Sequence, residues 1–481
     1  MAPPVIGQPS RRNPLSEDLC YTPATELLRL YRNQELSPVE VTRAVLDRIA
    51  AVNPKINAYC LVDETQALAQ ARAAERRWLA GQPLGRLDGV PASVKDLIVT
   101  KGWPTLRGSR TIDPAGPWND DAPAVARLKE HGAVLLGKTT TPEFGWKGVT
   151  DSALTGATHN PWKIGRTPGG SSGGASAQVA AGLGPLAIGT DGGGSIRIPA
   201  AFAGIVGMKP SFGRVPAWPA SPFGTVAHLG PMTRTVADAA LMLTVLAGPD
   251  YRDWLALPAS GEDYGQGLDQ GIRGLRIAFS PDLGYARVDP EVAAIVAGAV
   301  RHFAALGAEV EAADPGFSDV GPIFAVHWQA GAFQALKAIP PEKRALIDEG
   351  LLRAAEAGGR YSLSDYLDAA QARAALGLTM RTFHTKYDLL VTPSLAVPAF
   401  AVNRLAPPAD EGGDWTVWTP FSYPFNLTQQ PAISVPCGFT AEGLPVGLQI
   451  VGPAHRDALV LRAARAFETA CNFHDKRPSL N

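Results

Sequence analysis

The sequence predicts an α/β fold, and three observations carry the prediction. Short apolar runs of strand length recur along the chain, segments with helical periodicity and capping signals lie between them, and glycine and proline are plentiful enough to turn the chain from one to the next. The 481 residues are about three usual domain lengths. With 46% hydrophobic and 19% charged residues, the chain has enough apolar surface to offset the entropy of folding, which excludes a largely disordered protein. Its 50 glycines and 42 prolines form no repeat, which excludes a collagen-like or low-complexity chain. Forty-four Lys and Arg against 45 Asp and Glu leave a net charge of -1, so no basic field draws nucleic acid or anionic lipid. The expected partner is a small molecule, with a homodimer allowed.

The elements follow in order. Ser37-Pro38-Val39-Glu40 has the form of a capping box with proline at the first helical position, and Val41, Val45 and Ile49 follow at helical spacing, predicting a helix over about 38–52. Further helices are predicted over 65–79, ending at Gly81, and over 122–131, ending at Gly132. Buried strands are predicted at 133–136, 186–189, 275–279, 389–392, 433–435 and 447–451. The polar, glycine-rich stretch 250–273 reads as a linker and 407–414 as a surface insertion. Strand-like segments flank both, so a single domain over 1–481 is expected. The four cysteines, Cys20, Cys60, Cys437 and Cys471, are scattered without metal-ligand spacing, so neither a zinc site nor a disulfide framework is expected. Residues 1–13 have no apolar core of a secretory signal, and the longest apolar runs, such as 179–188, fall short of the roughly 20 residues that span a bilayer. A cytoplasmic protein without cofactor is expected.

Residues 165–214 carry the chemistry. Two glycine-serine clusters are joined by an alanine-rich helix and a short apolar strand. A flexible linker would not continue into such core-like segments. A phosphate-binding loop is weakened because no lysine follows the Gly173-Gly174 turn. Gly169-Gly170-Ser171-Ser172-Gly173 fits the G-x-S-x-G elbow, but residues 161–168 do not make the strand that an elbow requires. What remains is two serines, Ser171 and Ser195, each at the end of a glycine turn, with no histidine suited by sequence to pair with either. A serine attacks a carbonyl only if a base takes its proton, and a lysine kept neutral by burial can do so. Lys95 sits in the apolar run 89–99, where an extended chain would put it on one face with Leu97 and Val99. Alone, such a lysine is more often a surface residue with a buried stem. The serines give it its interest.

Through these residues the chain resembles the amidase signature family, the Ser-Ser-Lys amide hydrolases. The resemblance extends through Thr141-Pro142-Glu143-Phe144-Gly145-Trp146-Lys147-Gly148, Asn160-Pro161-Trp162, the glycine-serine core, Gly230-Pro231-Met232-Thr233-Arg234-Thr235, Pro431-Ala432-Ile433-Ser434-Val435-Pro436 and Gly443-Leu444-Pro445-Val446-Gly447-Leu448-Gln449. It implies a central mixed sheet with helices on both faces. It implies Ser195 as nucleophile, Ser171 as proton relay after a cis peptide at Gly170, and Lys95 as base. It further implies an oxyanion hole from the N–H groups of Gly192, Gly193, Gly194 and Ser195, for which each donor is worth about 3 kcal/mol. Gly192 departs from the family, which often carries a side chain there, so a looser hole is expected. Asp191 and Arg197 read as a structural ion pair, Ser172 as a loop support, and His159 and His228 as ordinary residues.

Substrate class is read from the segment before Asn426. Glutamine-using relatives place an acidic residue there, whereas residues 415–425 of this chain are aromatic and uncharged. Such residues serve equally as core or as the lining of an apolar pocket. Trp146 and Trp103, on loops near the motifs, are expected to bind substrate along with Gly170. The segment 407–425 is thus the expected substrate side. An amidase acting on apolar or aryl amides is expected, with esters and aryl carbamates as related substrates. The alternatives are a catalytically silent binding protein and a glutamine-dependent amidotransferase subunit.

Overall fold

The computed structural model describes residues 14–471, 473 and 475–480. The segment 1–13, read above for its lack of a secretory signal, lies outside them. The strands are β1 (Tyr59–Val62), β2 (Pro91–Lys95), β3 (Val134–Thr139), β4 (Asp151–Ser152), β5 (Gly156–Ala157), β6 (Leu186–Asp191), β7 (Val206–Lys209), β8 (His228–Thr233), β9 (Arg276–Phe279), β10 (Glu309–Ala312), β11 (Leu389–Pro393), β12 (Ala432–Phe439) and β13 (Pro445–Val451). Eleven form one mixed sheet in the order β1-β3-β2-β6-β8-β7-β12-β13-β11-β9-β10, and β4 pairs with β5 apart from it. β2 runs parallel to both β3 and β6, the middle of the sheet is antiparallel, and β9 runs parallel to β11 and β10. Strands before and after 250–273 therefore share one sheet.

Helices flank this sheet. Along β13, Val446, Leu448 and Ile450 join the large apolar cluster that holds Val296 and Leu461. Gly447, pointing the other way, faces Ala201 so closely that an added Cβ would stand 2.6 Å from its methyl carbon. Helix Pro290–Ala305 and helix Asp457–Cys471 thus lie on one face, and helix Arg197–Ala203 on the other.

The capping box at Ser37 and Glu40 is formed, and its helix runs Pro38–Ile56, a turn beyond the expected end. Buried Ile56 supplies the reason, and Asn57 closes the helix in the left-handed region at φ 52°. The helices Glu64–Leu79 and Pro123–Glu130 lie where the periodicity puts them. The extended segment around Lys95 needs a correction: β2 stops at Lys95, so Leu97 and Val99 share no strand face with it. The chain turns there, with Ile98 N–H donating to the Lys95 carbonyl at 3.0 Å.

Because β2 and β6 are parallel, their final residues, Lys95 and Asp191, emerge at the same edge of the sheet. Crevices beyond the carboxyl ends of such strands are where α/β folds bind ligands. Among the described residues no helix is long and apolar enough to cross a membrane, no group of three or more His, Cys, Asp or Glu could hold a metal ion, and the four cysteines are unbridged.

Candidate active site

Lys95 is completely buried at the end of β2. Its Nζ lies 2.6 Å from Ser171 Oγ, 2.9 Å from Ser172 Oγ and 2.8 Å from Thr190 Oγ1. Among the described residues no carboxylate forms an ion pair with it. Burial drives its pKa well below the usual lysine value, and the more distant Asp191 only partly opposes this. No nearby positive charge is needed for the effect.

The hydroxyl network fixes how a neutral Lys95 would be arranged. Ser172 Oγ donates to the Thr190 carbonyl at 3.1 Å and accepts from the Thr190 N–H at 3.2 Å. Its proton is thus committed, so it can only accept from Lys95. Thr190 Oγ1 takes the second N–H of a neutral amine. The lone pair is then left facing Ser171, the arrangement in which that hydroxyl donates to the lysine. Ser172 is therefore a loop support, as expected, and also orients the lysine. Thr190 is a member of the site that sequence reasoning missed, although it stands one residue before Asp191 in the strand.

The turn bearing Ser171 is packed too tightly for side chains. The Gly170-Ser171 peptide is cis. An added Cβ at Gly170 would stand 2.5 Å from the Val149 carbonyl, and one at Gly173 2.3 Å from Thr150 Oγ1. Thr150 Oγ1 itself donates to the Gly169 carbonyl at 2.8 Å and accepts from the Gly173 N–H at 3.1 Å, spanning the turn. Gly170 thus shapes the backbone and does not line the cavity.

The second serine leads into helix Arg197–Ala203 from a loop organised by Asp191. The Asp191 carboxylate accepts from the Gly194 N–H at 2.8 Å and the Ile196 N–H at 3.2 Å, and from Arg197 Nε and Nη2 at 3.0 Å each. Asn426 Nδ2 adds a further bond at 2.8 Å. Arg197 in turn donates to Gln449 Oε1 at 2.8 Å, Asn426 Oδ1 at 2.6 Å and the Ser422 carbonyl at 2.9 Å. Asp191 and Arg197 are a fully buried ion pair, as read from the sequence; burial pushes the carboxyl up, but the guanidinium and its hydrogen bonds outweigh this and hold it below its usual range.

This network corrects the expected set of oxyanion donors. The Gly194 N–H is spent on Asp191, whereas those of Gly192, Gly193 and Ser195 meet no acceptor among the described residues. The expectation of a loose loop at Gly192 is also corrected. A Cβ there would meet the Trp328 ring at 2.8 Å, so the indole fills the space that a side chain at 192 would take. Gly193 is hemmed in by Phe324 and Trp415, and Ser422 Oγ donates to its carbonyl at 2.6 Å.

Ser171 and Ser195 line one cavity of about 150 Å³ that opens to solvent. No hydrogen bond joins their hydroxyls; the link between the two turns is Ser172 N–H donating to the Ser195 carbonyl at 3.2 Å. Trp218, Phe223, Trp328, Phe144 and Leu97 supply much of the apolar wall, and among the described residues no Asp or Glu lines it. Phe223 stacks on Trp328 at 4.1 Å between ring centres. The sequence-predicted aromatics lie elsewhere. Trp103 is buried in the main core and donates to Asp63 at 3.0 Å. Trp146 is buried behind Trp328, whose Nε1 donates to the Trp146 carbonyl at 3.0 Å. Trp415, Trp418, Phe421, Tyr423 and Phe425 are buried and do not line the cavity; of these, Trp415 packs behind the glycine loop at Gly193. His159 lies outside the cavity. His228 lines it, with Nδ1 2.8 Å from the Val226 carbonyl and burial holding the ring neutral.

The model of the amidase family matches residues 40–461. An acylamidase from Rhodococcus erythropolis is 42% identical over 96% of this chain and 98% of its own length. A glutamyl-tRNA(Gln) amidotransferase subunit from Moorella thermoacetica is 38% identical over 96% of this chain and 99% of its own. Among solved structures, a bacterial aryl acylamidase of the amidase signature family superposes with a TM-score of 0.88 at 34% identity, covering 95% of this chain and 98% of that one.

Proposed function

The chain belongs to the amidase family and is an amide hydrolase, and from that premise we propose that it cleaves apolar or aryl amides through an acyl-enzyme on Ser195. The observation that carries this reading is a cavity in which two serines stand among Trp218, Phe223 and Trp328 with no carboxylate in the wall. The amide carbonyl carbon sits at Ser195 Oγ, and its oxygen at the free N–H groups of Gly192, Gly193 and Ser195. Neutral Lys95 takes the Ser171 proton while Ser171 takes that of Ser195, and Ser195 attacks. Substrate binding closes the contact between the two hydroxyls, since catalytic hydrogen bonds tighten in the Michaelis complex. The same relay, run backwards, returns the proton to the departing amine. Water then repeats the cycle on the acyl-enzyme, so aryl esters and aryl carbamates fit the same chemistry.

The apolar wall separates this reading from a glutamine-using amidotransferase. The ammonium of glutamine would enter a cavity offering it no anion, at a desolvation cost with no compensation. The test is turnover by the purified chain of 4-nitroacetanilide, an aryl carbamate, a primary aliphatic amide and glutamine. The anilide or the carbamate is expected to show the highest kcat/KM. A preference for glutamine would overturn the reading.

A further inference from the structure

We infer that Arg107 selects substrates carrying a carboxylate, by pairing its guanidinium with that group in the active-site cavity. The inference rests on the amidase reading above and narrows its substrate class.

Arg107 lines the same cavity as Ser171 and Ser195 and is half-buried. Its backbone is held in place from three sides. The carboxylate of Asp96, the residue after Lys95, accepts from the Leu106 N–H at 3.2 Å and the Gly108 N–H at 3.4 Å. The Arg107 carbonyl accepts from the Phe144 N–H at 2.8 Å. Arg107 itself sits in the left-handed region at φ 56°, followed by Gly108 at φ 63°, where an added Cβ would stand 2.6 Å from the Thr141 carbonyl. A non-glycine residue in that region is a strained choice, kept only where the surroundings fix it.

The side chain, by contrast, has no partner. Among the described residues its guanidinium makes no hydrogen bond and no ion pair, whereas that of Arg197 is saturated with acceptors. Asp96 is the nearest acid in effect, but its carboxylate is occupied by the loop amides and stands 4.0 Å from Lys138 Nζ. A half-buried guanidinium at an apolar cavity with no anion beside it is free to take one from a ligand. Its planar fork matches a carboxylate with two parallel hydrogen bonds. With no acid lining the cavity, the anion has to arrive with the ligand. The substrate class is therefore an aryl amide bearing a carboxylate on its amine or its acyl part, and amides bearing an ammonium group are repelled.

The experiment uses two matched pairs and two readouts. 4-Acetamidobenzoate is set against its neutral isostere 4-nitroacetanilide, and N-phenylsuccinamate against N-phenyl-4-oxopentanamide. Binding is measured by calorimetry and turnover by product release, for the intact chain and for Arg107→Gln. Arg107→Asn is a second variant whose backbone is at home in the left-handed region. For at least one carboxylate-bearing member, both variants are expected to weaken binding by about 30-fold or more, seen in KM more than in kcat, while the neutral partner changes by less than about 3-fold. Equal losses for both members of each pair, no loss, or no carboxylate binding at all would overturn the inference. Arg107-dependent carboxylate binding without turnover of any of the four compounds would leave the inference standing and remove the aryl-amide reading instead.

Discussion

Replacing Lys95 with methionine tests whether the buried amine is neutral, on which the whole relay depends. A free lysine titrates near about 10.4, so at pH 7 only about one molecule in 2,500 would carry a neutral amine. In the structure Lys95 has three hydroxyl partners, no carboxylate in ion-pair contact, and a pKa driven well down by burial. Unfolding then takes up one proton at any pH between that depressed value and about 10.4, and native stability rises with pH through that window by about 1.36 kcal/mol per unit from this group. Lys95→Met lacks the group and the slope. In urea titrations at about pH 7 and about pH 9, the stability of the natural chain relative to the variant should grow by up to about 2.7 kcal/mol, the single-proton slope over both units. A difference that does not change with pH would mean that Lys95 is charged in the native state and cannot be the base. The kinetic counterpart has the same sign. The rate should rise with pH through the depressed pKa and then level, and Lys95→Met should remove that limb with a loss of several orders of magnitude. Lys95→Arg should be no better, because a guanidinium stays charged.

An active-site serine probe should form one adduct, located by mass spectrometry of the digest on the peptide containing Ser195, and Ser195→Ala should abolish turnover with unchanged circular dichroism; an adduct on Ser171 would reverse the two roles. Ser171→Ala should cost about 10³-fold or more in kcat and Ser172→Ala only about 10- to 100-fold with the rising pH limb retained, because Ser172 orients the lysine without carrying the proton. Asp191→Asn should lower stability by about 3 to 5 kcal/mol in denaturant titrations, since it leaves Arg197 buried without its anion. Gly192→Ala should cost about 1 to 3 kcal/mol by crowding Trp328, and Trp328→Leu should restore part of that loss if the crowding is its cause.

What could be read from the sequence was whatever chemistry is local. The glycine-serine turns announce themselves because a Cβ at Gly170 or Gly173 would collide with neighbouring atoms, so composition alone marks them. Strands β6, β11 and β13 were legible as apolar runs, whereas β10, Glu309–Ala312, is largely exposed at the sheet edge and has no such run. The cavity wall was illegible for a different reason. Trp328 comes from helix Gly321–Leu336 and Trp218 and Phe223 from the connection between β7 and β8, and only the folded chain brings them to the serines. Nor could composition decide between core and lining for 415–425, since burial and pocket-lining favour the same side chains. The identity of the free amides was likewise hidden, because it depends on which N–H the Asp191 carboxylate takes, and it takes that of Gly194. Arg107 drew no notice because nothing in its neighbours along the chain marks a guanidinium as unpaired.

The ties that hold Arg197 have a consequence for how the protein comes into being. Ser422 follows Arg197 by 225 residues and Gln449 follows it by 252, so the loop bearing Ser195 is synthesised long before the groups that brace it. A ribosome-bound chain lacking those residues holds Asp191 and Arg197 without the outer partners that brace the guanidinium, so the loop around the serine is less firmly held. The nascent chain is thereby expected to stay inert until residues 422 and 449 have been made, and a message truncated ahead of position 422 should yield no stray hydrolase. The same dependence makes the chain divisible: a fragment ending before residue 422 should be silent, and adding the missing C-terminal piece in trans should arm it.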